Sequence, residues 1–214
     1  MPPSRQVWIF DLDNTLHNAT PHIFPHINRA MRDYIERHLG LTPDEATRLR
    51  QDYWQRYGAT LLGLMRHHGT NPRHFLRETH QFSDLAGMLV FQKPLIPMLQ
   101  RLPGRKIIFS NAPRHYTEAV LGITGLDACF DAVYSVESVN FQPKPLLAGF
   151  RTLLNAERIK PRQCIMVEDS LANLASAKKL GMKTVWVSAG YRRSPCVDVK
   201  ISSILQLAKR FGLR

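Results

Sequence analysis

The chain has 214 residues, of which 44% are hydrophobic and 21% are charged, and its formal net charge is +12. This composition fits a globular protein with a substantial core, and no apolar stretch approaches the roughly 18 residues that a membrane span requires. Membrane-spanning proteins are therefore excluded. Because the first residues lack the apolar core of a signal peptide, the sequence predicts a cytoplasmic location. The lysines and arginines are scattered, which favours a solvated cationic surface over specific nucleic-acid binding.

Short apolar runs predict the strands of a buried sheet. The first run, Val7–Phe10, has four apolar residues without polar alternation, which is typical of a strand covered on both faces. Helix-like patterns separate most of the later runs, and this rhythm predicts an α/β domain with a parallel sheet. The later runs are 106–109, 132–135, 164–167 and 183–187.

The interval between the first two runs is too long for one crossover and has no convincing strand. Thr42 is a good helix N-cap there, with Pro43 at the first helical position and Glu45 as its capping-box partner. We therefore predict that residues 18–87 are an all-helical insertion into an α/β domain made of residues 1–17 and 88–214. The helical patterns in the insertion are 26–39, 43–56 and 72–81.

Two acids, Asp11 and Asp13, directly follow the first predicted strand. In open α/β sheets, ligands bind beyond the carboxyl ends of the strands, so both acids lie where a site is expected. A turn rich in Asp and Asn can also simply end a strand. The pair alone leaves both interpretations open.

Polar residues also follow the second and third strands. Ser110 and Asn111 precede a helical pattern, where unsatisfied backbone N–H groups favour an anion, although either side chain could merely cap the helix. Lys144 lies between two prolines that stiffen its backbone, so it suits a phosphate or a carboxylate. The alternative for Lys144 is an exposed loop lysine.

The fourth strand ends in a second pair of acids, Glu168 and Asp169, which could also simply stabilise the start of a helix. In chain order, the first strand end supplies two acids, the second a hydroxyl group, the third a lysine and the fourth two more acids. Mg²⁺ prefers carboxylates and phosphate oxygens, and phosphoryl transfer needs a nucleophile, charge neutralisation and a proton donor. The combination predicts Mg²⁺-dependent phosphoryl-transfer catalysis rather than coincidence.

The order Asp-x-Asp-x-Thr, Ser, Lys-Pro and Glu-Asp-Ser resembles the four-motif signature of the haloacid dehalogenase superfamily of phosphatases, over nearly the whole chain. The resemblance implies a Rossmann-like parallel-sheet core with a helical cap inserted after the first motif. It implies that Asp11 is the nucleophile that forms an aspartyl-phosphate. Asp13 would be the general acid and then the base that activates water. The residues implied to bind the phosphoryl group are Ser110, Asn111 and Lys144.

The same resemblance implies how Mg²⁺ is bound. Its ligands would be the carboxylates of Asp11 and Asp169 and the backbone carbonyl of Asp13. Glu168 and Thr15 would support the site. The dehalogenating branch of the superfamily lacks an acid at the position of Asp13, so carbon–halogen hydrolysis is disfavoured for this chain.

A narrower resemblance is to the pyrimidine 5′-nucleotidase branch, carried by 10–16 and by Tyr57–Met65 in the insertion. It implies pyrimidine nucleoside 5′-monophosphates, UMP or CMP, as substrates, with Tyr57 and Thr60 as substrate-binding residues. This chain departs from the Tyr-Gly-Thr-Thr-Leu pattern of that branch at Ala59, which stands where the pattern has its first threonine. The glycine there would either let the backbone approach a substrate or form a turn between helices.

Other functions stay open at this point. The same chemistry could act on another small phosphate ester, such as phosphoglycolate or a sugar phosphate, or in a mutase. A nucleic-acid-binding or regulatory protein on an inactive fold is suggested only by the charge. The expected partner is a small phosphate monoester, with no specific nucleic acid and no membrane.

Overall fold

The computed structural model describes residues 6–212 and contains a six-stranded parallel sheet with strand order β3-β2-β1-β4-β5-β6. This result confirms the predicted Rossmann-like α/β fold. All five predicted strands are present. The sixth, β6, was not predicted because it is a three-residue edge strand with a lysine at its centre. The strands are β1 Val7–Phe10, β2 Arg105–Phe109, β3 Ala132–Tyr134, β4 Cys164–Glu168, β5 Lys183–Val187 and β6 Val199–Ile201.

The chain divides into two compact units. One is Ala19–Leu89, and the other holds the described residues up to Asn18 and from Val90 onward. Asn18 and Val90, which flank the helical unit in the sequence, form an isolated antiparallel bridge. In this bridge the Asn18 N–H donates to the Val90 carbonyl at 2.7 Å.

The unit Ala19–Leu89 is helical throughout its regular structure. The capping box predicted at Thr42 is present, with the side chains of Thr42 and Glu45 bonded to each other's backbone N–H groups. Two helices, α3 and the four-residue α5, were not predicted. The N-cap residue of α3, Ala59, has no side chain that can cap and so leaves no start signal. The helices are α1 Ile23–Leu39, α2 Pro43–Tyr57, α3 Thr60–His68, α4 Pro72–Thr79 and α5 Leu85–Met88.

The sheet unit carries the remaining helices on both faces of the sheet. Its central strand β1 is fully buried, as its uninterrupted apolar run requires. Val7 and Ile9 pack in one cluster with Phe150 and Leu174, whereas Trp8 on the opposite face makes an edge contact with Phe211. The helices are α6 Leu95–Arg101, α7 Arg114–Thr124, α8 Leu147–Glu157, α9 Leu171–Lys179 and α10 Leu207–Arg210.

Among the described residues, no helix is both long and apolar enough to cross a membrane.

Helix α8 packs tightly against the loop that leads to Lys144. A Cβ atom added at Gly149 would lie 2.1 Å from the carbonyl oxygen of Gln142. We expect Gly149→Ala to destabilise the fold by about 1–3 kcal/mol, since a backbone oxygen cannot move as a flexible side chain does. In thermal unfolding followed by calorimetry, the midpoint should fall by roughly 2–12 °C.

Gly122 in α7 is the matched control, because a Cβ atom there meets nothing within 4 Å. Gly122→Ala should leave stability unchanged or raise it by up to about 1 kcal/mol, through lower backbone entropy of the unfolded chain. Equal unfolding midpoints for the two variants would contradict the close approach of α8 to the loop.

Candidate active site

The sheet topology brings the predicted site residues to one edge. Strand β1 pairs in parallel with β2 on one side and with β4 on the other. Asp11 directly follows β1, Ser110 follows β2, and Glu168 is the last residue of β4. Because the carboxyl ends of parallel strands share an edge, these groups are presented together at the point where the strand order reverses.

The segment after β1 is a tight turn that orients Asp11 and Asp13. The Leu16 N–H donates to the Leu12 carbonyl at 2.9 Å, and Asn14 adopts a left-handed conformation with φ of 61°. Asparagine tolerates that conformation better than most residues. The Thr15 hydroxyl donates to Asp11 Oδ2 at 3.1 Å. The segment is therefore a turn, and the Thr15 hydroxyl within it orients the first acid.

Lys144 is the buried centre of the charged cluster. Its side chain is 1% exposed, and Nζ donates to Asp11 Oδ1 at 2.6 Å and to Glu168 Oε2 at 2.8 Å. The alternative of an exposed loop lysine is wrong. Burial alone would lower the pKa of Lys144, but the two carboxylates raise it above its usual range, so the side chain stays an ammonium.

The backbone of Lys144 is held by Asn111. The Asn111 Oδ1 accepts from the Lys144 N–H at 2.8 Å, and Asn111 Nδ2 donates to the Lys144 carbonyl at 2.8 Å. The amide of Asn111 thus engages the lysine backbone, and its predicted contact with phosphate stays a prediction. Ser110 is also buried, and its Oγ accepts from the Ala112 N–H at 3.0 Å. Neither residue caps α7, whose N-cap is Pro113.

Glu168 is held on both carboxylate oxygens. Besides the bond from Lys144, Oε2 accepts from Asn173 Nδ2 at 3.0 Å. The other oxygen, Oε1, accepts from the backbone N–H groups of Asp169 and Ser170, each at 3.2 Å. A carboxylate with four donors is fixed in place, so Glu168 supports the site as a positioned charge. Asn173 was not predicted as a site residue, because an asparagine in the first turn of a helix carries no distinctive signal.

The acids outnumber the cation in this cluster. Carboxylate oxygens of Asp11, Glu168 and Asp169 lie within 4.8 Å of one another. Burial and then the charge of Glu168 raise the pKa of Asp11 to about 7, and burial raises the pKa of Glu168 to about 7. Burial also raises the pKa of Asp169. One lysine does not balance three close carboxylates, so the cluster suits a hard divalent cation such as Mg²⁺.

The backbone of Asp169 is fixed from the next strand. Trp186 on β5 donates its indole N–H to the Asp169 carbonyl at 2.7 Å. Trp186 itself is buried and lies beneath Lys200, whose Nζ is 4.6 Å from the ring centroid. This bond leaves the Asp169 carboxylate as the group that faces the cluster. In the sequence, Trp186 was marked only as part of an apolar run that predicts a strand.

Asp13 lies apart from the carboxylate cluster, in a polar group of its own. Its Oδ1 accepts from the Tyr116 hydroxyl at 2.6 Å and is 2.8 Å from His17 Nε2. Burial, and then the nearby charge of Asp13, raises the pKa of Tyr116 far above its usual range, so the phenol keeps its proton. Tyr116 was not predicted as a site residue. The four-residue spacing from Asp13 to His17 was the available signal.

The two substrate-binding residues predicted in the insertion are placed at a turn between helices. Tyr57 is the last residue of α2, Gly58 follows with φ of 80°, and Thr60 begins α3. The Tyr57 hydroxyl is 2.7 Å from His67 Nε2. Thr60 is buried within the helical unit and donates to the Arg50 carbonyl at 3.1 Å. The segment is therefore an interhelical turn, and the substrate contacts of Tyr57 and Thr60 stay predictions.

The sequence is similar to several proteins whose names refer to phosphate metabolism or phosphatase activity. Phosphate metabolism protein 8 of Saccharomyces cerevisiae is 24% identical, with 84% of this chain and 60% of that protein covered. Phosphoglycolate phosphatase of Rhodospirillum rubrum is 26% identical, with 89% and 83% covered. Glyceraldehyde 3-phosphate phosphatase of Pyrococcus furiosus is 29% identical, with 86% and 81% covered. The chain thus spans 60% of the length of the yeast relative.

The fold is also shared with solved structures. A HAD phosphatase from Thermococcus onnurineus superposes with a TM-score of 0.69 at 24% identity, and the match covers 98% of this chain and 99% of that chain. A family model described as haloacid dehalogenase-like hydrolase matches residues 6–181, from the first strand of the sheet to the end of α9 and the turn after it. That span contains each acid, hydroxyl and lysine of the strand-end cluster, and the chain belongs to the haloacid dehalogenase-like hydrolases.

Proposed function

We propose that this hydrolase is a Mg²⁺-dependent phosphomonoester phosphatase that forms an aspartyl-phosphate on Asp11. The observation that carries the proposal is the buried bridge from Lys144 Nζ to Asp11 and Glu168, at 2.6 and 2.8 Å. A carboxylate that must attack an anionic phosphate needs fixed positive charge beside it. The names of three relatives, the two phosphatases above and the validoxylamine A 7′-phosphate phosphatase of Streptomyces hygroscopicus, support a phosphate ester as substrate.

The residues divide the reaction into two steps. In the first, a carboxylate oxygen of Asp11 bonds to phosphorus, the ester bond breaks, and Asp13 gives its proton to the leaving oxygen. In the second, Asp13 takes a proton from water, the resulting hydroxide bonds to phosphorus, and the Asp11–phosphorus bond breaks. Lys144 favours the ionised form of Asp11 before the attack and holds its side chain in position. Ser110 would donate a hydrogen bond from its hydroxyl group to a phosphoryl oxygen.

The proposed metal ligands are the carboxylates of Asp11 and Asp169 and the backbone carbonyl of Asp13, with Glu168 as a supporting charge. When bound, Mg²⁺ would neutralise charge on the phosphoryl group and on the attacking carboxylate. The excess of acids in the cluster supports this assignment, because a cation there would offset the burial and then the charge repulsion that raise the pKa values of Asp11 and Glu168.

Asp13→Asn tests the proton-transfer role. We expect kcat for an alkyl phosphate to fall by roughly 10²–10⁴-fold, because the amide cannot protonate the leaving alkoxide. The loss should be smaller for 4-nitrophenyl phosphate, whose leaving group needs little protonation. Mg²⁺ affinity, measured by calorimetry, should change little, since the proposed contact is a backbone carbonyl. Equal losses on the two esters would speak against Asp13 as the acid.

For the substrate class, we propose pyrimidine nucleoside 5′-monophosphates, on the strength of the motif around Asp11 and the Tyr57–Met65 segment. A second class is small non-nucleotide phosphate esters, which the names of the phosphoglycolate and glyceraldehyde 3-phosphate phosphatases favour. Both classes use the same strand-end chemistry. The difference lies in how the leaving group is bound, for which Tyr57 and Thr60 are the proposed residues.

A panel of phosphate esters with Mg²⁺ separates these proposals. The panel contains UMP, CMP, AMP, phosphoglycolate, glyceraldehyde 3-phosphate and 4-nitrophenyl phosphate, with phosphate release as the readout. A higher kcat/KM for UMP and CMP than for the other esters supports the nucleotidase. Tyr57→Phe should then bring the kcat/KM for UMP closer to that for AMP, while kcat/KM for 4-nitrophenyl phosphate stays unchanged. Preference for phosphoglycolate or glyceraldehyde 3-phosphate supports the second class. No phosphate release from any ester contradicts the phosphatase.

A further inference from the structure

We propose that Tyr116 and His17 are positioning residues that hold one carboxylate oxygen of Asp13, so that proton transfer takes place through the other. The inference deepens the proposed function, because it rests on Asp13 as the general acid and base. Neither residue belongs to the four strand-end motifs. Both come from the sheet unit, Tyr116 from the first turn of α7 and His17 from the turn after β1.

Both contacts end on the same oxygen. The Tyr116 hydroxyl donates to Asp13 Oδ1 at 2.6 Å, and His17 Nε2 is 2.8 Å from that atom. Tyr116 is 1% exposed and His17 is 4% exposed, so water competes little for either bond. A backbone bridge between Asp13 and His17 fixes the histidine beside the acid. Among the described residues, no hydrogen bond reaches Asp13 Oδ2.

The histidine tautomer follows from its surroundings. An ionised carboxylate oxygen only accepts, so His17 Nε2 must carry the proton that it donates to Asp13. The other ring nitrogen, Nδ1, is buried without a hydrogen-bond partner among the described residues. With the proton on Nε2, only a lone pair is left unpaired there, which avoids a buried N–H group without an acceptor.

Two donors on Oδ1 have a chemical consequence. The oxygen that accepts both bonds is the less basic of the pair, so a proton on the carboxyl group resides on Oδ2. Rotation of the carboxyl group about the Cβ–Cγ bond would break both bonds, which keeps Oδ2 in one place. Oδ2 then gives its proton to the leaving oxygen in the first step and takes one from water in the second. The bonds to Oδ1 persist through both steps.

The alternative is that the acid merely satisfies two buried polar side chains. That structural role predicts lower stability for variants but no dependence on the leaving group. The positioning role predicts a selective defect, since only substrates that need proton transfer depend on a fixed Oδ2. The ratio of kcat for an alkyl ester to kcat for an aryl ester therefore distinguishes the two roles.

The experiment measures kcat and KM for the best alkyl ester of the panel and for 4-nitrophenyl phosphate, at saturating Mg²⁺. We expect Tyr116→Phe to lower kcat for the alkyl ester by about 10- to 100-fold, with a smaller loss on the aryl ester and little change in KM. Tyr134→Phe is the matched control, because it also removes a hydroxyl bonded to a carboxylate, that of Glu157 at 2.7 Å. The control should keep the wild-type ratio of alkyl to aryl kcat.

Variants of His17 keep the inference testable if Tyr116→Phe fails to fold. His17→Gln retains a side-chain N–H donor and should recover much of the alkyl activity that His17→Leu loses. Equal losses on alkyl and aryl esters in folded variants of Tyr116 and His17, or no loss on either, would overturn the inference.

Failure of the proposed function is recognised separately. It would show as no phosphate release by the wild type, or as equal losses on both esters in Asp13→Asn, and the inference would then fall with it. A selective alkyl defect in Asp13→Asn that is absent from the Tyr116 and His17 variants overturns the inference alone.

Discussion

Asp11→Asn is expected to remove all measurable phosphate release while the protein stays folded. The amide is nearly the same size as the carboxylate, but it is a poor nucleophile and cannot form the aspartyl-phosphate. It can still accept the bond that Lys144 Nζ makes to Asp11 Oδ1 at 2.6 Å. The measurement is kcat for 4-nitrophenyl phosphate with Mg²⁺, alongside the circular dichroism spectrum and unfolding midpoint of the variant.

The control for this prediction is Asp198→Asn in the same unit, an exchange of the same kind at an acid that pairs with the exposed Lys178. That variant should retain wild-type kcat. More than a few per cent of wild-type activity in Asp11→Asn, from protein purified away from host phosphatases, would remove Asp11 as the nucleophile. Trapping of acid-stable phosphate on wild-type protein, and not on the variant, would support the covalent intermediate.

Lys144→Met should have the largest effect on stability as well as abolishing activity. The methionine fills most of the space but leaves Asp11 and Glu168 buried without their shared cation. Breaking a buried ion pair from one side costs about 3–5 kcal/mol, which corresponds to a fall of roughly 6–20 °C in the unfolding midpoint. The measurement is differential scanning calorimetry without added metal, because a bound cation would replace part of the lost charge.

Lys178→Met is the matched control, since Lys178 also pairs with an acid but its side chain is 41% exposed. An exposed pair contributes only about 0–1 kcal/mol, so this variant should unfold close to the wild type. Adding Glu168→Gln to Lys144→Met removes one of the two unpaired charges and should recover part of the loss. A smaller effect at Lys144 than at Lys178 would contradict the buried bridge.

The sheet could be predicted because its central strands are simple. Val7–Phe10 is apolar at every position, and such a run has few alternatives to a strand buried on both faces. The site followed from the same argument, because the carboxyl ends of parallel strands meet wherever their residues lie in the sequence. Lys144 was identified by its position in the motif order, whereas its burial could only be seen in the structure.

The residues that support the site were harder to predict. Tyr116 and Trp186 bond to partners far away in the sequence, so no local pattern marks them. Asn173 bonds to Glu168, only five residues earlier, but an asparagine in a helix carries no distinctive signal. The helix α3 lacked a capping side chain, and β6 lacked length. For Tyr116 and Trp186 the missing information was a tertiary contact, which a pattern of residue types does not contain.

The bridge between Asn18 and Val90 bears on how such a chain can diversify. Asn18 and Val90, the residues of the sheet unit that flank Ala19–Leu89, are joined by a backbone hydrogen bond of 2.7 Å. The chain path of the sheet unit is therefore closed at the point where the helical segment is inserted. Insertions are tolerated best where their ends lie close together on a stable framework. Mutation, lengthening or exchange of the helical segment can therefore be selected independently, while the hydrolytic framework is inherited unchanged.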